Sequence, residues 1–442
     1  MVFLLFASCI FIVARISQSL HNTILTPWSV YVLAWLGMLA VYSLDWITFI
    51  PIEWDTWVVL FGSLSFYLAG SIIAFRAWHS HDRPVIPNVA HWFSNVNLSA
   101  YTMFQIGISI TGIAGALGYL YVIQEQYGLE TLITNPGLIR ATQSGEDFVA
   151  GFFWWKFLFY MNWLAIPLGV ARIVYEKANS PRWIYLALLI HFLVNFILVS
   201  RSQLLLVLFL VVFVIVAAFH RRIRESEFLL IGVMLVATVV YFIVMGEALG
   251  KTFEYTISQA GNFHGPDFVR PLAQFYLYVA GNIPAFQMYM TTYESSQTYG
   301  LFQFIPIAKV LSKLDMVPWE LPQEVGQNVF IPFSFNTYTY LNVFYLDWGL
   351  IGTLIGPFLF GLIGNWIYLR ACSSGQVWDV IGTAFIVHAS FSSIGTNVLV
   401  STPQWEFAIA LVILAVLSRK RQLRFERRTS TRAQARSPVF HR

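Results

Sequence analysis

An all-α membrane protein with about eleven transmembrane helices and one large extracytoplasmic loop is the architecture that the sequence predicts. Three observations lead there. Of the 442 residues, 57% are hydrophobic and only 11% charged, whereas a soluble globular domain carries roughly a quarter charged residues. Apolar runs near the length needed to cross ~30 Å of hydrocarbon recur along the chain. One long interruption, residues 246–347, collects acids, bases and aromatic rings.

The apolar runs lie at 1–14, 28–44, 57–75, 99–123, 148–174, 183–199, 204–219, 228–245, 348–369, 377–394 and 405–417. Trp28, Trp57, Tyr121, Trp154, Trp183 and Trp405 stand at their ends, where ring side chains favour the membrane interface. The first run has no preceding basic stretch and no small-residue cleavage site, so it is expected to be a span rather than a signal peptide. Cys9 and Cys372 are too few and too badly placed for a disulfide framework.

Alternate connections differ sharply in charge. Arg15, Arg76, Arg83, Arg172, Lys177, Arg182, Arg221, Arg222, Arg224, Arg370 and the nine basic residues from Arg419 onward fall on one side, 19 of the 26 in all. The excess of positive charge assigns that side to the cytoplasm, with the C-terminus inside and the N-terminus and long loop outside. Residues 1–418 then form the membrane domain, with 246–347 as its large periplasmic loop, and 419–442 a basic tail. That tail is expected to be disordered and drawn to anionic headgroups; nucleic acid is not the expected partner.

Within the loop, 271–290 is apolar enough to suggest a further span. Crossing there would place Arg370 and the tail outside, and Gly281, Asn282 and Pro284 interrupt it, so a re-entrant or surface-lying element is expected. Pro306 followed by Ile307, Val310, Leu311 and Leu314 has the spacing of a short interfacial helix with proline in its first turn.

Ser200-Arg201-Ser202-Gln203 separates two apolar runs of 17 and 16 residues. At 1.5 Å per residue these reach only ~25 Å, which recesses the tip below the outer surface. An arginine at that depth is costly unless it meets water, an acid or an anion, and its planar fork suits a phosphate or pyrophosphate. Snorkelling to headgroups is the alternative. Arg140 and Arg270 are the other outer arginines. His264, Asp267 and Arg270 fall within seven residues, in no metal or triad spacing. His264 can serve as a base or be a solvated loop residue. Asp347 either caps the following span or orients a hydroxyl, and Glu324 is a further acid in the loop. His191 and His388, inside apolar runs, read as core histidines. No phosphate-binding glycine loop, zinc helix or Asp-rich metal pair is present, and intramembrane acids are nearly missing.

The recessed Ser-Arg-Ser, the long outer loop ending Asn336-Thr337-Tyr338-Thr339, and Tyr345-Leu346-Asp347-Trp348-Gly349-Leu350-Ile351-Gly352 before an apolar span resemble the Wzy-type oligosaccharide repeat-unit polymerases. The resemblance is one of layout over nearly the whole chain. It implies a GT-C-like, inverting, metal-independent glycosyltransferase of the bacterial inner membrane, with no cofactor. Its substrate would be an undecaprenyl-pyrophosphate-linked oligosaccharide, extended on the periplasmic face, with membrane lipids and a chain-length regulator as partners. Carried onto this chain, Arg201, Arg140 and Arg270 would bind pyrophosphate, and Asp347, Glu324 or His264 would be the base. Asn336 and Tyr338 would contact substrate, with Trp319, Phe333 and Tyr338 available to stack on sugar rings. The histidine loop motif of the related O-antigen ligases has no counterpart here. A flippase binding the same lipid without chemistry is the alternative from another class. Intermediates stranded on the cytoplasmic leaflet would identify a flippase, and a lipid-core acceptor a ligase.

Overall fold

The structure, a computed structural model, describes residues 2–78, 86–87, 89–128, 130–131, 150–197, 201–219, 240, 263–293, 300, 302–316, 328–331 and 333–419. Helices dominate it. In chain order they are α1 (Val2–His21), α2 (Pro27–Tyr42), α3 (Trp54–Ala77), α4 (Val89–Trp92), α5 (Leu98–Tyr127), α6 (Ala150–Phe159), α7 (Asn162–Glu176), α8 (Arg182–Ile197) and α9 (Arg201–Phe219). After them come α10 (Ala273–Ala280), α11 (Asn282–Thr292), α12 (Ile305–Lys313), α13 (Leu341–Ser374), α14 (Val377–Ser392) and α15 (Thr402–Ser418). Two short strands, β1 (Val329–Phe330) and β2 (Ser334–Phe335), pair antiparallel before α13.

Among the described residues, five helical stretches are long and apolar enough to cross a membrane: α1, α3, α5, the joined α6–α7 from Trp154 to Glu176, and α13. The shorter apolar helices α2, α8, α9, α14 and α15 overlap five more of the expected runs. Residue 240 excepted, the expected run 228–245 lies outside the described residues, as does the tail beyond Arg419. Local chemistry explains several helix ends. Thr26 caps α2, accepting from the Ser29 backbone N–H while the Ser29 hydroxyl accepts from that of Thr26, and Pro27 occupies the first turn, where its missing N–H costs nothing.

The packing centre is the seam between α3 and α13, where small residues let backbones meet. A Cβ on Gly70 would lie 2.1 Å from the Phe358 carbonyl oxygen, and one on Gly361 2.2 Å from that of Tyr67. One turn further on, the Asn365 amide donates to Ser71 Oγ at 2.9 Å. From Gly62 against Leu354, through Tyr67 against Gly361, to Ser71 against Asn365, partner numbers rise together along this seam, so α3 and α13 run parallel. Where α5 packs on α6 and α7, the pairings run the other way: Gly112 meets Asn162, Gly115 meets Phe159 and Gly118 meets Trp155, so these helices are antiparallel.

The start of α13 differs from the expected span beginning at 348. The helix starts at Leu341 and breaks at Trp348 and Gly349, the latter at φ 62° and ψ −149°, a conformation open to glycine and strained for other residues. Its first arm, 341–347, folds back over the second. A Cβ at Gly352 would sit 2.1 Å from the Phe344 carbonyl oxygen, and one at Gly356 2.3 Å from the Phe344 ring.

Residues 271–290 form α10 and α11, joined at Gly281 with little change of direction in the backbone, since Gly281 itself has helical angles (φ −67°, ψ −17°). Both ends of this element touch the one connection between α2 and α3. Tyr276 accepts from the Trp46 backbone N–H at 3.2 Å, and Gln287 accepts from the Glu53 N–H at 2.7 Å and donates to the Pro51 carbonyl at 2.9 Å. The element therefore lies along that connection. α12 has Pro306 in its first turn, and exposed Phe304, Ile307, Leu314 and Met316 leave it an apolar flank.

Candidate functional site

The loop elements and the ends of the helices they cover meet at a polar junction built around Asp347 and Tyr340. Asp347 is fully buried at the end of the short arm of α13. Its Oδ1 accepts from the Phe302 N–H at 3.0 Å and its Oδ2 from the Gln303 N–H at 3.2 Å. These are donors at the start of a 3-10 turn (Phe302–Phe304) that leads into α12. The carboxylate thus satisfies two amides at a helix start, where it is favoured. The sequence left open a capping role and a role toward a hydroxyl. The geometry is a cap, of α12 rather than of the span that follows Asp347, and neither oxygen faces solvent.

Tyr340 ties the same junction to the helical core. Its backbone N–H donates to the Ser393 carbonyl at 2.9 Å, and its hydroxyl bonds that of Tyr31 at 2.9 Å. The Tyr31 ring stacks on Tyr67 with centroids 3.6 Å apart. Asn397 donates to Gln303 Oε1 at 3.3 Å, and Trp35 to Ser393 Oγ at 2.9 Å. Four elements distant in sequence are bonded here: α2, the 302–304 turn, the start of α13 and the chain after α14. Three buried polar atoms at the junction have no hydrogen-bond partner among the described residues: Asn282 Oδ1, Gln303 Nε2 and Thr339 Oγ1. Between the helices, Tyr67 lies within hydrogen-bonding reach of Ser390 and Asn365. Buried polar groups are ordinarily satisfied, so such a concentration marks a place for water or a polar ligand.

The other expected site residues distribute as follows. Tyr338 is buried, its ring 4.7 Å from that of Tyr289, and burial pushes its hydroxyl well above the ordinary phenol range. Burial likewise pushes Tyr276 up to about 12, against the opposing effect of its bond from Trp46. Both phenols stay protonated at neutral pH and act as donors or walls. Phe333 and Phe335 pack with Tyr338 in one buried cluster beside Val343 and Leu346, so these rings are core and their faces are closed to a sugar. Asn336 is exposed after β2.

His264 and Arg270 lie on the flank formed by the connection between α2 and α3. The His264 N–H donates to the Trp46 carbonyl at 2.8 Å, and its Nε2 pairs with Thr48 Oγ1 at 2.9 Å. Arg270 is exposed in the 3-10 turn Asp267–Leu272. Arg201 is the first residue of α9, the start of the helix after the Ser-Arg-Ser tip, and its side chain is outside the described residues. Arg140, Trp319 and Glu324 also lie outside them. Among the described residues, no three His, Cys, Asp or Glu side chains gather in a metal-binding arrangement.

Of the residues that carry the junction, Gln303 and Asn397 escaped the sequence reading and Asn282 entered it only as a break in an apolar run, because a neutral polar residue beside an apolar run carries no charge signal. Glu406 escaped it too. It stands at the second position of the run 405–417, visible as an acid among apolar residues. Compared with protein-family models, curated proteins and solved structures, the chain matches none.

Proposed function

We propose that the protein is a glycosyltransferase of the bacterial inner membrane that joins undecaprenyl-pyrophosphate-linked oligosaccharide repeat units on the periplasmic face, as the Wzy-type polymerases do. The observation that carries this reading is the Asp347 junction. A buried carboxylate fixes the loop helix α12 to the broken start of α13, beside buried polar atoms of Asn282, Gln303 and Thr339 that lack partners among the described residues. A loop bonded that firmly to helix ends makes a preorganised roof over the outer half of the membrane domain. A lipid-linked sugar has to be held in that position, its carrier in the bilayer and its glycan above.

The chemistry asks for little else. A glycosyl pyrophosphate has a good leaving group, so fixed guanidinium charge at the pyrophosphate does the work a metal does elsewhere. Arg201, the first residue of α9, is the residue we assign to this role, with Arg140 and Arg270 as further outer arginines. The parallel run of α3 and α13 supports the reading of 271–290 as an element that does not cross the membrane. Two membrane spans pointing the same way are separated by an odd number of crossings. The expected five between them satisfy this, and a sixth at 271–290 would not.

The decisive experiment supplies purified protein with synthetic undecaprenyl-pyrophosphate oligosaccharide, with and without EDTA. Polymer should form in both. Arg201→Ala should lower chain elongation by about 10²-fold or more while the protein still reaches the membrane in normal amount; long polymer at the ordinary rate from that variant would remove Arg201 from the mechanism.

A further inference from the structure

Transfer to a sugar hydroxyl needs a group to take its proton. Both oxygens of Asp347 are engaged by backbone amides, and Glu324 is outside the described residues. Glu406 is placed differently. It sits in the first turns of α15, 6% exposed, and among the described residues neither of its carboxylate oxygens has a hydrogen-bond partner. Among the described residues it takes part in no salt bridge.

The surroundings of Glu406 tie it to the junction. α15 packs against α5, α7, α12 and α14. Trp405, the preceding residue, has its ring 5.7 Å from that of Phe304, in the turn held by Asp347. Tyr160, in the tight turn between α6 and α7, is the titratable neighbour whose hydroxyl shares the electrostatic environment of Glu406, with Tyr119 of α5 beside it. His388 of α14 is engaged with Ser392. α7 in turn packs on α9, the helix that Arg201 begins. The carboxyl group therefore stands on a helix that packs both on the α12 element and on α7, the neighbour of the helix that Arg201 begins.

A buried carboxyl without a partner costs stability and returns none, so a purely structural position would hold an apolar side chain. Acids kept at such a cost cluster at functional sites. We propose that Glu406 is the general base of the transfer reaction, an assignment that rests on the glycosyltransferase reading above. Once the site opens to water, the buried acid gives its own proton to that water, and the resulting carboxylate takes the proton of the acceptor hydroxyl as that oxygen bonds to the anomeric carbon of the donor. The bond from that carbon to the pyrophosphate oxygen breaks, and its electron pair leaves on the lipid pyrophosphate, neutralised by arginine. Glu406 then returns the proton to water. The acceptor reaches it by parting α12 from α15, whose ring contact involves the exposed Phe304.

The test uses the full-length protein in vesicles of phosphatidylethanolamine and phosphatidylglycerol, with synthetic undecaprenyl-pyrophosphate oligosaccharide as both donor and acceptor. Glu406→Gln should lower kcat by about 10²–10⁴-fold, leave KM unchanged, and melt no lower than wild type. Added formate should restore part of the rate to Glu406→Ala by acting as the missing base. A Gln variant that polymerises at the wild-type rate overturns the assignment. So does one that melts lower while formate fails to rescue Ala, because Glu406 is then structural. No polymer from the wild type overturns the glycosyltransferase reading itself, and this assignment with it.

Discussion

At the scale of single residues, the junction turns on which polar atoms already have partners. Asp347 is the clearest case. Its two bonds to backbone amides make it a brace between α12 and α13, and removing it strands two buried N–H groups. Asp347→Ala is expected to destabilise the protein by about 3 kcal/mol, with Asp347→Asn, which keeps one acceptor, milder; thermal unfolding in detergent measures both. If instead Asp347→Ala melts like the wild type while abolishing polymer, the brace is the wrong account and a chemical role is restored. In the sequence Asp347 could be seen as an acid beside an apolar run. Its partners lie more than forty positions away, and no spacing pattern reports them.

At the scale of elements, glycines decide how closely helices approach. Gly70 and Gly361 let α3 and α13 meet through backbone atoms, and any Cβ there would overlap a carbonyl oxygen. Gly70→Ala and Gly361→Ala should each cost about 1–3 kcal/mol, whereas Gly37→Ala, with nothing within 4 Å of the added carbon, should be close to neutral. Equal melting temperatures for all three would show that the seam is looser than drawn. The break at Gly349 is a second such device. It turns the first arm of α13 back onto the second and so points Asp347 toward α12. From the sequence, Trp348-Gly349 looked like the start of a span, since hydropathy sums along the chain and is blind to a single left-handed residue. α12, by contrast, was legible, because its apolar spacing and its proline are local signals.

At the scale of the whole molecule, the direction of α13 relative to α3 constrains the path of everything between them. Parallel helices put Asp55 at the end of the α3–α13 pair that carries the loop holding Asn336, and Arg76 and Ser373 at the other; all four positions are exposed. In a protein with Cys9 and Cys372 replaced, single cysteines at 55 and 336 should react with an impermeant maleimide added outside intact cells. Cysteines at 76 and 373 should react only after the membrane is opened. Labelling of 55 and 336 from opposite sides would break the parallel arrangement and revive the twelfth span at 271–290.

The amino-acid sequence alone determined the apolar, helical character of this chain, the approximate positions of the described membrane-length helices apart from the start of α13, and the existence of an amphipathic helix after Pro306. Those properties are sums or periods over neighbouring residues, and they survive without knowledge of the fold. Tertiary structure decided which acids are spoken for. Asp347 found two amides and became a brace, while Glu406 found none, because hydrogen bonding and desolvation depend on what the rest of the chain brings to each oxygen.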